Sequence, residues 1–404
     1  MPNDLLYHFL GVQGYCFERI EQKRDELLIV IRQPRESYAC PCCGSKRVHS
    51  QGAVKRRFRT VPIGSNRVFI ELAVPRVWCR DCGIVRQVQV PFAEGKRRYT
   101  KVFEQYVLQL LRIATTQHIA DLLGTSWDTI REIERRYLER HFARPSLNKV
   151  RRIAIDEIAV RKGHRYLTLV LDLDTGRVVH VADGRKTTAL DEFWQRLKEA
   201  KAKLKAVAAD MWRPYINAVL KHFPKAALVF DRFHVMKLFS KRLTELRREL
   251  FREAKDGLQR KVLQRTRWLL LKNEENLNDE KREAERLEEA LALNKPLATA
   301  YYLKEELREF WEQPGRMTAE FFLEDWCARA EASRVKLLQS LAKVLRGYRN
   351  GLIAWYEHPI STGPLEGINN KIKTLKRMAY GYRNQEYFKL KILSLHCSSY
   401  ALIG

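Results

Sequence analysis

Four cysteines of the chain have the residue type and the spacing of a metal site. Cys40 and Cys43 lie in Y-A-C-P-C-C-G, and Cys79 and Cys82 lie in V-W-C-R-D-C-G, so C-x-x-C-G occurs twice. Tetrahedral zinc takes four thiolates, and this gap lets both sulfurs of one turn reach the ion. We therefore predict one structural Zn²⁺ site with Cys42 outside it, in a compartment where thiols stay reduced. The alternative is a set of unrelated buried cysteines.

The segment between the two cysteine pairs predicts a zinc ribbon. Its sequence R-F-R-T-V-P-I-G-S-N-R-V-F-I-E-L-A-V-P-R-V-W alternates like short strands around a Gly-Ser-Asn turn, although it is long for a ribbon. Basic residues of the predicted ribbon could bind DNA phosphate, or could belong to a strand that is merely solvated. They are Lys55, Arg56, Arg57 and Arg59.

Acidic residues in the middle of the chain form a second candidate site. Short apolar runs rich in β-branched residues, with helical patterns between the later ones, predict a mixed α/β sheet. Asp156 lies on the first predicted strand, Asp210 ends the run L-K-A-V-A-A-D, and Asp231 ends the run after it. Open α/β sheets usually hold their reactive groups at the carboxyl edge. These aspartates are therefore candidates for a shared site.

Carboxylates that share a sheet edge raise one another's pKa, and a divalent cation removes this penalty. Mg²⁺ prefers hard oxygen ligands and keeps positions for water or phosphate oxygens, so a few carboxylates suffice for phosphoryl transfer. For any one aspartate taken alone, a turn or helix cap is the more ordinary role. Only the combination of acids indicates a metal site.

A lone acid, Glu366, stands near the start of the basic stretch S-T-G-P-L-E-G-I-N-N-K-I-K-T-L-K-R-M-A-Y-G-Y-R-N. If residues 366–383 are helical, polar side chains recur on one face at spacings of three and four. The carboxylate could then hold a metal ion while the side chains after it bind the DNA backbone. The alternative is a basic helix whose acid merely favours the first turn. The residues of this face are Glu366, Asn369, Asn370, Lys373 and Arg377.

The composition favours a globular protein that binds a polyanion. The chain has 404 residues, 45% of them hydrophobic, and a formal net charge of +27. This length allows several domains, and the charge favours nucleic acid as the partner. No apolar run reaches the length of a membrane span, and the first residues do not have the pattern of a secretion signal. We expect a soluble cytoplasmic protein.

The stretch T-Q-H-I-A-D-L-L-G-T-S-W-D-T-I-R-E-I-E-R-R-Y-L has the form of a helix-turn-helix, within a helical region from Lys101 to Phe142. Gly124 allows the turn, and Ser126 can cap the second helix. Because that helix would lie in the major groove, its polar residues are candidate readers of DNA, unless the unit is an ordinary helix pair. The predicted apolar face of the first helix comprises Ile119, Leu122 and Leu123, and Ile130 and Ile133 of the second helix are expected in the core. The candidate readers are Trp127, Thr129, Arg131 and Arg135.

The region between Phe233 and Tyr356 predicts a helical domain. Leucines such as Leu243, Leu246 and Leu250 share a face, and the acidic stretch E-E-N-L-N-D-E-K-R-E-A-E-R-L-E-E-A predicts a solvated surface. Its tryptophans, Trp268 and Trp326, are expected in the core rather than in a base-stacking surface.

Together these motifs resemble those of bacterial insertion-sequence transposases with a ribonuclease H-like DDE domain, close to the ISL-three family. The resemblance covers nearly the whole chain. Besides the cysteine pairs and the basic stretch, it rests on A-I-D-E-I-A-V-R-K-G-H-R-Y-L-T-L-V-L-D-L-D-T-G-R-V, A-A-D-M-W, V-F-D-R-F-H-V and R-W-L-L-L-K-N-E-E-N-L. It implies that Asp156, Asp210 and Glu366 are the catalytic metal ligands. Asp231 falls outside this triad and is either structural or part of the active-site lining.

The resemblance implies a multidomain α/β fold. A ribonuclease H-like core, a mixed sheet with flanking helices, is interrupted by an all-helical insertion and preceded by a zinc ribbon and a helix-turn-helix. The implied domains are 1–98 for an N-terminal strand and the zinc ribbon, 99–146 for the helix-turn-helix, 147–235 for the first part of the core, 236–355 for the insertion, and 356–404 for the last part with the Glu366 helix.

The implied activity is DNA transposition with Mg²⁺ or Mn²⁺ at the catalytic site and structural Zn²⁺ in the ribbon. The protein would bind the terminal inverted repeats of its own element, cleave them with water, and join the freed 3′ hydroxyl to target DNA. No side-chain nucleophile would be needed. Its partners would be double-stranded DNA and further copies of the chain, in a homodimer or higher assembly associated with the nucleoid. The alternatives are a metal-dependent nuclease without strand transfer and a DNA-binding regulator with an inactive core.

Overall fold

A computed structural model describes residues 3–161, 165–255, 257–292 and 294–397. Residues 162–164, which belong to one of the motifs above, lie outside these ranges. The chain forms two compact units. One takes in the chain up to Ala143 together with Leu375–Leu390, and the other takes in Arg144–Thr374 and Lys391–His396. Each unit contains its own β-sheet and helices, so the predicted multidomain α/β architecture is confirmed.

The first unit is built on a five-stranded sheet with the order β1-β2-β4-β3 and with β5 on β4. The pairs are antiparallel except that β2 and β4 run parallel. β3 and β4 have 12 and 13 residues, so the predicted short strands are in fact one long hairpin. The elements are α1 (Asn3–Leu10), β1 (Cys16–Lys23), β2 (Glu26–Arg32), β3 (Val48–Arg59), β4 (Arg67–Cys79) and β5 (Val85–Gln87).

The predicted helix-turn-helix follows as α2 (Lys101–Leu110), α3 (Thr116–Leu123) and α4 (Trp127–Phe142). The hydroxyl of Ser126 accepts the N–H of Thr129 and caps α4, and Gly124 adopts the left-handed conformation that ends α3. The prediction was wrong for Leu122, which is 70% exposed. The buried face of α3 is centred on Ile119, Ala120 and Leu123, and this leaves Leu122 at its edge.

The second unit contains a mixed sheet with the order β10-β9-β6-β7-β8. β6, β7 and β8 pair antiparallel, whereas β9 pairs parallel with both β6 and β10. Buried aromatic residues of α5, Phe193 and Trp194, join the apolar core beside this sheet. The elements are β6 (Arg152–Arg161), β7 (Arg165–Asp172), β8 (Arg177–Asp183), α5 (Asp191–Glu199), β9 (Ala206–Ala209), α6 (Arg213–His222) and β10 (Ala227–Phe230).

Helices follow the last strand of this sheet and share a large apolar core. Trp326 is fully buried, and its indole N–H donates to the carbonyl of Leu303 at 2.9 Å. Trp268 is 65% exposed, so its expected core position was wrong; Leu269 and Leu270 fill the buried positions beside it. The helices are α7 (Arg232–Glu253), α8 (Gly257–Arg265), α9 (Glu283–Ala292), α10 (Lys295–Arg308), α11 (Arg316–Ala332), α12 (Lys336–Gly347) and α13 (Arg349–Ile353).

The last two helices are α14 (Gly363–Met378) and α15 (Gln385–Leu393). α14 ends before residue 383, where the sequence analysis had placed its end, because Tyr380 and Gly381 take positive φ angles of 50° and 100°. The left-handed conformation cannot continue a right-handed helix. None of the helices in the described ranges is long and apolar enough to cross a membrane.

Gly351 allows α13 to approach β10 closely. A β-carbon at this position would lie 2.3 and 2.4 Å from two ring carbons of Phe230. We expect Gly351→Ala to destabilise the protein by about 1–3 kcal/mol, because a methyl group cannot fit without moving backbone or ring. Urea unfolding would measure the change. Gly347→Ala is the matched control, since a β-carbon there meets open space. Equal stability of the two variants would contradict the close packing.

Candidate metal centres

The four predicted zinc ligands lie together at one end of the β3–β4 hairpin. Val48, at the start of β3, pairs with Cys79 at the end of β4, so the two C-x-x-C pairs meet although a long segment separates them. Sulfur-to-sulfur distances are 3.5 Å for Cys40 and Cys82, 3.6 Å for Cys43 and Cys79, and 3.7 Å for Cys43 and Cys82. A tetrahedral zinc ion with bonds of 2.3 Å needs sulfurs about 3.8 Å apart. The thiols therefore fit zinc.

The two cysteine turns have the same backbone. Gly44 N–H donates to the carbonyl of Cys40 and Gly83 N–H to that of Cys79, both at 2.9 Å, and both glycines have positive φ. Backbone N–H groups of Cys43 and Cys42 lower the pKa of the Cys40 thiol to about 6. The lowered pKa favours the thiolate of Cys40, the form that binds metal, whereas burial raises the pKa of Cys82 to about 12. The exposed Cys42 thiol is not a member of the four-sulfur group.

The register of the second sheet places three aspartates in one row. Ala154 of β6 pairs with Ala208 of β9, and Phe230 of β10 pairs with Ala209. Extending both registers sets Asp156, Asp210 and Asp231 level with one another across three neighbouring strand positions. Because paired strands lie about 4.8 Å apart, residues distant in sequence come to a common edge. Asp210 and Asp231 follow the carboxyl ends of β9 and β10, the edge that the sequence predicted, whereas Asp156 lies within β6.

Two aspartates of this row are held by donors from different helices. The side-chain amide of Asn369 donates to Asp156 Oδ2 at 3.0 Å, and His234 Nδ1 lies 3.3 Å from Asp210 Oδ1. Burial raises the pKa of Asp156, and the charge of Asp210 acts in the same direction. Burial would also raise the pKa of Asp210, but the hydrogen bond and charge of His234 outweigh it and lower that pKa. The backbone N–H of Met211 also donates to Asp210, at 2.6 Å.

Glu366 lies on α14, three residues before Asn369, and is exposed. The four thiol sulfurs all lie within 4.8 Å of one another. Among the described residues, the carboxylates of Glu366, Asp156 and Asp210 do not form a group of that compactness. Asn369 Oδ1 is buried and has no hydrogen-bond partner among the described residues. A buried oxygen that lacks a donor, next to a carboxylate, suits a hard divalent cation or a water bound to it.

Asp231 has a structural role that the sequence left open. Its side chain is 4% exposed, and it caps α7 by accepting the N–H of Phe233 at 3.0 Å. Its other oxygen accepts the N–H of Thr362 at 2.8 Å and the hydroxyl of the same residue. Asp231 thus connects the start of α7, which carries His234, to the residue that precedes α14.

Sequence reasoning missed His234 and assigned Asn369 only to DNA. The D-R-F-H motif was the available indication for His234, because a helix starting after Asp231 places a residue three positions on near the same edge. A further acid, Glu157, lies beside Asp156 on β6 and accepts the hydroxyl of Tyr215 at 2.7 Å. Burial raises the pKa of Glu157.

The basic residues of β3 differ in their availability to DNA. Lys55 has 79% of its side chain exposed, with Glu71 at 3.9 Å. Arg56 donates to the carbonyls of Gly95 and Arg97, and Arg57 pairs with Glu26 at 2.7 Å. Arg59 is only 8% exposed, and its guanidinium donates to the carbonyl of Leu123 at 2.8 Å. Arg59 therefore stabilises the junction of the sheet with α3, and Lys55 is the most accessible of the four.

The candidate readers on α4 are partly engaged within the protein. The guanidinium of Arg131 lies 5.3 Å from the ring centre of Trp127 and 5.6 Å from that of Tyr387, and Trp127 is exposed. The hydroxyls of Thr129 and Ser126 are 2.8 Å apart. Arg135 pairs with Glu139 at 3.2 Å and with Glu132 at 3.9 Å.

The last helix holds α4 in place through Tyr387. Its hydroxyl donates to the buried carboxylate of Glu134, and burial raises the pKa of this tyrosine. On α14, the ammonium of Lys373 lies 3.4 Å from Asn370 Oδ1, and Arg377 is exposed.

Profiles of known protein families match most of the chain. Residues 153–392 match a family profile described as transposase, and residues 88–138 match the helix-turn-helix domain of transposase family ISL3. Residues 36–82 match the zinc-finger of transposase IS204/IS1001/IS1096/IS1165. These three matches follow one another along the chain in the order in which the zinc, helix-turn-helix and acidic motifs occur.

Two curated relatives match over nearly their whole length. The chain is 34% identical over 388 residues, 95% of each protein, to the transposase for insertion sequence element IS1001 of Bordetella parapertussis. It is 30% identical over 422 residues to the transposase for insertion sequence element IS1557 of Mycobacterium tuberculosis, covering 96% of this chain and 94% of the relative.

The sulfur geometry predicts the metal content of the protein. Purified wild-type protein should contain about one equivalent of zinc, because the four thiols form one closed tetrahedral site. Cys79→Ser should lose the zinc and lower the thermal stability, since three thiolates leave the site open. Cys42→Ser should keep the zinc and the thermal stability of the wild type. Elemental analysis by mass spectrometry measures the content, and less than about half an equivalent in the wild type would contradict the site.

The contacts of Asp231 predict a long-range coupling. Asp231→Asn should destabilise the protein by about 1–3 kcal/mol, because in either orientation the amide N–H₂ would face a donor, the N–H of Phe233 or the two donors of Thr362. Thr362→Ser keeps both donors and should remain close to wild type. In a double-mutant cycle with Thr362→Val, unfolding free energies should show a coupling of at least about 0.5 kcal/mol. Strict additivity would rule out the bond between Asp231 and the Thr362 hydroxyl.

Proposed function

The chain belongs to transposase family ISL3, and on that basis we propose that it moves its own insertion sequence by metal-dependent DNA cleavage and strand transfer. A transposase of an insertion sequence cuts and transfers DNA. The finer chemistry is our proposal, and the observation that carries it is the row of aspartates at the edge of the second sheet.

The catalytic core is proposed to be ribonuclease H-like. The order β10-β9-β6-β7-β8, with an antiparallel β6–β7–β8 meander and two further parallel strands, supports this proposal. The helices from α7 to α13 lie in the sequence between β10 and α14. This is the position expected for an all-helical insertion before Glu366.

Asp156, Asp210 and Glu366 are the proposed ligands of Mg²⁺ or Mn²⁺. The contact between Asn369 and Asp156 supports this, because it brings the helix of Glu366 to the aspartate row. The unsatisfied oxygen of Asn369 supports it as well. When bound, such ions activate the attacking oxygen and stabilise the leaving oxygen of a phosphodiester.

The other residues of the site would act on these carboxylates. Asn369 orients Asp156 through its amide N–H, and His234 orients Asp210 through Nδ1. Asp231 keeps the starts of α7 and α14 at a fixed separation through Phe233 and Thr362. Positioned ligands matter because a misplaced group loses most of its effect on the reaction rate.

The proposed reaction has two steps, and each is the attack of a hydroxyl oxygen on a phosphodiester. A water molecule attacks the phosphodiester at the element end, breaks its P–O3′ bond, and leaves a 5′ phosphate and a free 3′ hydroxyl. This hydroxyl then attacks a phosphodiester of the target DNA and displaces the target's own 3′ hydroxyl. Each step exchanges one P–O bond for another, so no redox partner is needed. The structural zinc of the ribbon would hold the hairpin rather than react.

DNA recognition is proposed for the accessible cations and for α4. Lys55 on β3, the polar residues of α4 and the exposed residues of α14 would contact the terminal repeats and the flanking backbone. Because two element ends must be joined to one target, we propose at least a homodimer on DNA, associated with the nucleoid.

The catalytic assignment is tested by joining element-end DNA to a target plasmid with Mg²⁺ or Mn²⁺, followed by sequencing of the products. Asp156→Ala, Asp210→Ala and Glu366→Ala should each lower joining by at least about 10³-fold, because each removes a ligand of the metal site. Their affinity for DNA should persist. Glu288→Ala, at an exposed acid of α9, should be fully active.

Different outcomes separate the possible activities. Joined products support transposition, whereas cleavage without joining would indicate a nuclease, and binding alone would indicate a regulator. Full activity of any one of the three acid variants would remove that residue from the metal site.

A further inference from the structure

Tyr380 closes the C-terminus of α14 in a backbone conformation that is unusual for a tyrosine. Its N–H donates to the carbonyl of Arg377 at 3.0 Å, and the N–H of Gly381 donates to that of Lys376 at 2.9 Å. This pair of bonds defines a Schellman motif, whose left-handed position is usually occupied by glycine. Here Tyr380 occupies it, with φ of 50°. A β-carbon in this region is sterically unfavourable, so the fold alone would favour glycine.

The ring of Tyr380 gives the fold no compensating contact. Its side chain is 101% exposed, the full value for an isolated residue. Within the described ranges it makes no hydrogen bond and packs against no other ring. The tyrosines after it behave differently: Tyr382 stacks on Phe388 with ring centres 4.5 Å apart, and Tyr387 is buried. A strained residue with an unused aromatic ring is a candidate for binding.

Charged neighbours indicate what the ring binds. Arg377 and Arg383 are exposed on either side of Tyr380 in the sequence, and neither forms an ion pair with any residue that the structure describes. Free guanidinium groups bind phosphate, and an aromatic ring stacks on the face of a base. A protein partner would need acidic side chains for these arginines, whereas DNA supplies phosphates and bases together. The net charge of +27 also favours DNA.

We propose that Tyr380 stacks on a nucleobase of bound DNA where the duplex is opened, and that Arg377 and Arg383 bind the phosphates beside that base. This inference rests on DNA being the substrate of the protein, as proposed above. The closed helix end fixes the backbone of Tyr380, so little conformational freedom of the backbone is lost when the ring meets the base. Tyr380 would distinguish opened DNA from intact duplex, whereas Arg377 and Arg383 would bind the phosphates of either.

The test compares full-length wild type and Tyr380→Gly in binding two fluorescein-labelled probes, a duplex and the same duplex with a short unpaired segment. The wild type should prefer the unpaired probe. Tyr380→Gly should weaken binding to that probe by roughly 5- to 100-fold, the range expected for a lost base stack, and should bind the duplex almost normally. Tyr380→Phe, which keeps the ring, should restore the preference to within about twofold.

Glycine at this position separates binding from folding. Because glycine is favoured in the left-handed conformation, Tyr380→Gly should melt at the same temperature as the wild type or higher. Arg334→Gly is the matched control, since Arg334 has φ of 58° and lies on the other unit; it should bind both probes like the wild type. Arg377→Gln should weaken binding to both probes alike and should reduce the salt dependence of binding by about one counterion.

Two results would overturn the inference. One is a Tyr380→Gly protein that binds both probes as the wild type does. The other is a Tyr380→Gly protein that keeps its DNA preference but loses self-association in light scattering, which would assign the ring to a protein contact. If the wild type itself neither binds nor joins DNA, the proposed function fails instead.

Discussion

The hydrogen bonds of the Asp231 carboxylate hold together two parts of the chain that are 131 residues apart. One part begins α7 and carries His234, and the other precedes α14 and leads to Glu366 and Asn369. Closing so long a segment costs conformational entropy, and a buried carboxylate with several donors offsets part of that cost. The same two helices carry the residues that contact Asp156 and Asp210, so this connection holds the starts of both helices beside the aspartate row.

The zinc site and the candidate acidic site are formed in different ways. In the zinc site, one antiparallel hairpin suffices, because its register sets the two cysteine turns side by side. The resulting sulfur distances already match a tetrahedral ion. The acidic site combines three strands with two helices, and its carboxylates have opposite pKa shifts, raised for Asp156 by burial and lowered for Asp210 by His234. A cation there would relieve the mutual repulsion of the acids.

Several basic residues of the first unit contribute to the net charge but are engaged within the protein. Arg59 stabilises the junction with α3, Arg56 holds backbone carbonyls, and Arg57 pairs with an acid, while Lys55 stays accessible. Arg131 lies between the rings of Trp127 and Tyr387. Each engaged cation contributes to the charge that attracts DNA over a distance, but its geometry is set by the fold.

The sequence by itself determined the features that depend on neighbouring residues or on a repeating pattern. The C-x-x-C-G turns, the capped helices around Gly124, and the alternation of strands and helices all follow from local spacing. The positions of Asp210 and Asp231 were also predictable, because the carboxyl ends of parallel strands share an edge. Asp156 lies within β6 and joins their row only through the pairing of β6 with β9. Tertiary structure alone decided the connection of Asp231 to Thr362, the contact of Asn369 with Asp156, the burial of Arg59, and the exposure of Leu122 and Trp268. These features depend on contacts between residues that are far apart in the chain. A local pattern indicates the type of a residue, but it does not indicate which distant residue contacts it.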